Sequence, residues 1–138
     1  MRKVNSVSEF SSERSELLLN HFRKSIATQS VISASRAFHE AAEAPAPRFW
    51  VSEAQAVRVI NRMAKGEDPT VDMFPEKRDM YREIFRRVME IKREHPEMTL
   101  GDIVFTVVNS EAPKSYISDV RAAQIIMAAR RNNRRRAI

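Results

Sequence analysis

The seven residues APRFWVS at 46–52 return as APKSYIS at 112–118, 66 positions later. A repeat on that scale restricts a chain of 138 residues to two similar halves. The register runs without a gap across 46–65 and 112–131. Ala46/Ala112, Pro47/Pro113, Ser52/Ser118, Ala56/Ala122 and Ile60/Ile126 are identical. Arg48/Lys114, Trp50/Tyr116, Val51/Ile117, Glu53/Asp119 and Val59/Ile125 are conservative.

The shift also aligns apolar positions upstream. SASRAFHEAAEA stands opposite TLGDIVFTVVNS, and Ala37, Phe38 and Ala41 match Ile103, Val104 and Val107 at the spacing of one helix face. The run IVFTVV alone could be a strand, but its alanine-rich counterpart has poor strand propensity, so helix is the shared reading. Further back, Leu18, Leu19 and Phe22 match Ile84, Phe85 and Val88. Only two glycines and six prolines occur, and the prolines fall as punctuation between helices. The expected fold is all-α, with two tandem three-helix units in helix-turn-helix-like order. The helices are placed near 12–27, 34–44, 53–65, 76–94, 100–110 and 119–132. The first repeat covers 1–66, a linker 67–74, the second repeat 75–132 and a basic tail 133–138. Ser33, Ser52, Thr99 and Ser118 are expected N-caps, Gly66 a C-cap, and Pro75 a first-turn residue.

In each copy the repeated heptapeptide reads as a joint. Proline biases the residue before it away from the helical region, so the second helix must end there. Serine then caps the third helix, with an acid at its positive end. Trp50 and Tyr116 lie next to caps rather than among basic residues. They are read as turn anchors in preference to base-stacking platforms. Phe49 faces a serine in the other copy, so the fold does not demand an aromatic there. It is the candidate for contact with a partner if it is exposed.

The third helix of the first copy has Ala56, Val57, Ile60 and Met63 toward a core. Gln55, Arg58, Arg62 and Lys65 share its opposite face, and Arg48 leads into it. Gln and Arg can pair with base edges, and Arg and Lys with phosphates, so these five residues form a candidate nucleic-acid surface. A solvated helix face is the plain alternative. The joint of about seven residues is longer than the usual three to four of a helix-turn-helix. In the second copy the matching positions are Arg121, Gln124, Ala128 and Arg131, followed by Arg134, Arg135 and Arg136. Such a tail can add phosphate contacts that weaken with salt, or can serve as a solubilising end.

Charge follows the same division. The chain carries +6 overall, with residues 1–66 basic, 67–129 acidic, and five arginines in the last nine residues. The second body is expected to pack on the first or on another subunit, which leaves homo-oligomers open. Cysteine is absent, which excludes a disulfide scaffold or a thiol nucleophile. The sequence lacks a signal-like start or a long apolar run, so a cytoplasmic protein without membrane contact is expected.

APRFWVSEAQAVRVINRM, with its second copy near the end, resembles small uncharacterised proteins of gut Bacteroidetes, often found near prophages or mobile elements. The likeness covers most of the chain. It implies a context of phage or mobile-element DNA handling, small-terminase-like roles included, and no active site. The resemblance to helix-turn-helix domains is general and rests on helix order and charge.

No enzyme signature accompanies these features. His21, His39 and His95 fall on different elements, and the His39/Glu43 pair has no third ligand nearby. A glycine-rich phosphate loop and a nucleophile elbow are both missing. The expectation is a non-enzymatic binder of nucleic acid, DNA favoured, with no cofactor, metal or small-molecule substrate. The alternative is a structural or adaptor protein of a phage or mobile element.

Overall fold

The computed structural model describes residues 6–137, and side chains for residues 10–135. These residues are helical, with no strand among them: α1 (Ser6–Thr28), α2 (Ala34–Glu43), α3 (Glu53–Ala64), α4 (Pro75–Glu94), α5 (Leu100–Val108) and α6 (Asp119–Ala137). The IVFTVV run lies in α5.

The helix ends follow from local chemistry. Ser33, Ser52, Thr99 and Ser118 each accept a hydrogen bond from the amide three residues on, at 3.1–3.3 Å. Each thereby satisfies one of the first-turn donors that a helix leaves open. Pro75 opens α4, where a missing N–H costs nothing. Gly66 follows the end of α3 at φ +91°, a conformation that suits glycine. Its N–H donates to Met63 and that of Glu67 to Arg62, which closes a Schellman motif.

α6 continues past the expected end at 132 and takes in residues 133–137. No proline or glycine interrupts that stretch, and arginine and alanine are strong helix formers. The tail is therefore the last turns of a helix.

The compact units do not coincide with the two sequence repeats. One, here called the continuous unit for its unbroken stretch 47–112, also takes in residues 6–9 at the start of α1. The other, the discontinuous unit, joins residues 10–46 to 113–137. In the continuous unit α3 packs on α5 and α4, and α4 packs on α5. In the discontinuous unit α6 packs on α2, and Leu18, Leu19 and Phe22 of α1 share a core with Ala37, Ala41, Ala122 and Ile126. Each third helix thus sits with the first two helices of the other repeat.

The two joints carry this exchange. The Phe49 amide donates to the Val108 carbonyl at the end of α5, at 3.0 Å. At the matching position, the Ser115 amide donates to Ala42 at the end of α2, at 3.2 Å. In both, the residue after the proline and the basic residue is tied to the second helix of the opposite repeat. The expected linker 67–74 is an internal loop of the continuous unit. It is ordered by Asp68, whose Oδ1 accepts from the amide and hydroxyl of buried Thr70.

Candidate nucleic-acid interface

On α3 the expected basic face is partly committed to the fold. Arg48 donates to the carbonyls of Phe49 and Val51 at 3.1 and 3.3 Å and so braces its own turn. Gln55 is half-buried. Arg62 pairs with Glu67 at 3.3 Å. Arg58 and Lys65 are exposed.

Phe49 is not a surface contact. It is 1% exposed, and the Arg87 guanidinium covers its ring at 5.1 Å. A serine counterpart is a poor guide to exposure because the two joints have different surroundings: Ser115 is buried as well, at 3%. Trp50 is buried and Tyr116 half-buried, both beside a cap. Tyr116 takes a left-handed φ of 55°, uncommon for a side chain of that bulk, with Lys114 Nζ 5.5 Å above its ring.

α6 presents a different picture. Arg121, Gln124, Arg131 and Arg135 recur at spacings of three, seven and four, which places them on one side of the helix. All four are exposed, as is Arg134. The side chain of Arg136 lies outside the described residues. Asp119 is the one acid in α6, and it is engaged by His39 Nδ1 at 3.0 Å. Arg121 donates to Gln124 at 3.3 Å. The remaining arginines of the stripe are in no ion pair among the described residues.

The exchange also sorts the charge. Residues 10–46 and 113–137 hold eleven Lys/Arg against five Asp/Glu. Residues 47–112 hold eleven against twelve. The basic stripe of α6 belongs to the positive unit, and the face of α3 to the near-neutral one. The expected α3 and α6 surfaces therefore fall in different units.

Two arginines, Arg23 and Arg130, join the candidate surface only in the folded chain. Arg23 of α1 and Arg130 and Arg134 of α6 edge a groove whose apolar floor is Phe22, Ile26 and Ala27. The Arg130 guanidinium lies 5.6 Å from the Phe22 centroid. Arg14, on the inward face of α1, is 8% exposed. Its signal in the sequence is a charge four residues before Leu18, on an otherwise apolar stripe.

Among the described residues, no group of three or more His, Cys, Asp or Glu could hold a metal ion, and no helix is long and apolar enough to cross a membrane. No family model, curated protein or solved structure matches the chain.

Proposed function

We propose that this protein is a non-enzymatic binder of nucleic acid, duplex DNA favoured, that works through the outer face of α6 and its arginine-rich last turns. One observation carries the reading. Arg121, Gln124, Arg131 and Arg135 share one exposed side of a single helix, within the unit that holds the excess of positive charge. Arg131 and Arg135 of that stripe are in no ion pair among the described residues and can meet phosphates, whereas at α3 Arg48 and Arg62 are engaged within the fold. The helix-turn-helix-like order then belongs to α2 and α6, which pack together although a whole repeat separates them. Handling of phage or mobile-element DNA is the context this proposal carries.

A mobility-shift titration of the full chain on duplex DNA, repeated across salt, tests it. The affinity should fall steeply as salt rises, because each neutralised phosphate releases about 0.9 of a counterion. A chain that shifts no DNA at low salt sinks the reading.

A second reading, an adaptor acting through protein contacts, draws on exposed apolar residues. Val71 and Phe74 are 64% and 81% exposed in the loop before α4, and Val31 is 84% exposed between α1 and α2. Exposed apolar groups of this size mark contact surfaces when they cluster. A stable oligomer by light scattering that ignores DNA and dissociates on Phe74→Ala would favour it.

A further inference from the structure

The groove between α1 and α6 joins an apolar floor to a cationic rim. It has a volume of about 500 Å3 over Phe22, Ile26 and Ala27, with Arg23, Arg130 and Arg134 along its edges. Ile26 is half-buried and Ala27 exposed, so the floor keeps apolar surface in water. Arg23 and Arg134 are exposed and in no ion pair among the described residues. A segment that brings an apolar side chain and acids together uses both parts of such a groove. A nucleic-acid strand would use the rim alone. Phe22 is 6% exposed, with Phe38 stacked on it at 5.0 Å and Arg130 5.6 Å from its centroid, which leaves little ring for a base.

The chain itself carries a segment of that chemistry. Residues 67–76 hold Glu67, Asp68, Asp72 and Glu76 and no Lys or Arg. Phe74 is 81% exposed there and Val71 64%. Asp72 and Glu76 are in no ion pair among the described residues. The loop is already held in shape, which lowers the entropy that docking would cost. Asp68 accepts from Thr70, the Met73 amide donates to the Thr70 carbonyl at 3.0 Å, and the Arg78 amide donates to the Phe74 carbonyl at 3.0 Å. Val31 and Ile32 are exposed as well, but residues 29–33 around them carry no charge.

We propose that the acidic loop 67–76 of one copy docks in the α1–α6 groove of a second copy, with Phe74 on the apolar floor and Asp72 and Glu76 toward the arginine rim. Loop and groove are different surfaces of one chain, so the contact is heterologous and copies join head to tail. The contact gives the exposed Phe74 a partner and does not rest on nucleic-acid binding.

The test uses the full chain without nucleic acid. Mass is followed by light scattering from about 1 μM to about 1 mM, a span that covers weak and firm contacts. The variants are Phe74→Ser, the groove pair Arg23→Glu with Arg134→Glu, the loop pair Asp72→Lys with Glu76→Lys, and the control Val31→Ser. All alter exposed or half-buried side chains, and circular dichroism checks that each variant keeps its helices. Wild type and Val31→Ser should grow in mass with concentration. Phe74→Ser should weaken the association at least about tenfold. Each charge-reversed pair should do the same alone. The two pairs mixed should associate again, because each loop then meets a rim of opposite sign. If a charge-reversed pair fails to fold, Phe74→Ser decides alone. A wild type that stays monomeric throughout overturns the proposal. So does an association that Phe74→Ser leaves unchanged, or a mixture of folded pairs that stays monomeric. Growth in mass only when duplex DNA is added gives the rim to nucleic acid and overturns it too. A chain that associates as expected but shifts no DNA supports the contact and sinks the nucleic-acid reading alone.

Discussion

The Arg87 guanidinium lies over the Phe49 ring, 5.1 Å from its centroid, and also donates to the Glu111 carbonyl at 2.8 Å. Arg87 thereby ties α4 to both ends of the continuous unit's chain segment. Phe49 is 1% exposed beneath it. Phe49→Ala should cost about 3–5 kcal/mol by cavity formation and lost transfer energy. Phe74→Ala, at a site 81% exposed, should change stability by under about 0.5 kcal/mol. Urea midpoints of the two variants check this, and equal losses would contradict a core role for Phe49.

The helix ends were legible because caps are local. A serine or threonine hydroxyl needs only the amide three residues on, so Ser33, Ser52, Thr99 and Ser118 could be read directly. The exchange of third helices was not legible. Ala56/Ala122 and Ile60/Ile126 present the same core-facing groups, so sequence alone cannot say which copy fills which unit. The matching residues around the joints differ instead. Arg87 occupies the repeat position of His21 and donates to the Glu111 carbonyl, two residues before a joint proline. An aromatic at 49 suits a guanidinium at 87, and the repeat positions hold serine at 115 and histidine at 21. The basic stripe of α6 was legible as a spacing. Its placement in the positive unit depends on the exchange.

A fragment spanning 47–112 contains α3, α4 and α5 and both partners of the Phe49–Val108 bond. It should unfold cooperatively by circular dichroism. A fragment spanning 1–46 lacks α6, which leaves Leu18, Ala37 and Ala41 without the cover of Ala122 and Ile126. It should show no cooperative transition. A cooperative melt from 1–46 alone would contradict the exchange.

His21 and Glu83 titrate in separate windows. Burial first, and Lys24 second, hold the His21 pKa below its ordinary 6.5, against the Pro45 carbonyl. The native state thus binds that proton less well than the unfolded chain. The associated stability is complete above about pH 6.5 and declines as pH falls below it. Hydrogen bonds from Arg86 chiefly, and from Arg87, hold the Glu83 carboxyl below its ordinary 4.5. Its contribution is complete above about pH 4.5 and is lost as pH falls through the lower folded value. His21→Gln should flatten the stability profile between about pH 7 and 5 and leave the more acidic fall intact. Glu83→Gln should do the reverse. Urea midpoints across pH separate the two, and identical profiles would refute the assignment.

α3 and α6 differ in what their arginines already hold. Arg62 is engaged with Glu67, beside the Schellman turn that ends α3. Arg131 and Arg135 are exposed on a helix whose one acid faces His39. Arg131→Ala with Arg135→Ala removes two cations from the stripe. The slope of log affinity against log salt should then fall by about two, at about 0.9 for each phosphate that is no longer neutralised. Arg58→Ala with Arg62→Ala should lower it by about one at most, since only Arg58 has a charge to spare. Surface substitutions of this kind should leave the thermal midpoint close to that of the wild type, which separates weakened binding from a damaged fold. A larger slope change from the α3 pair would move the interface to that helix, and with it the functional role to the continuous unit.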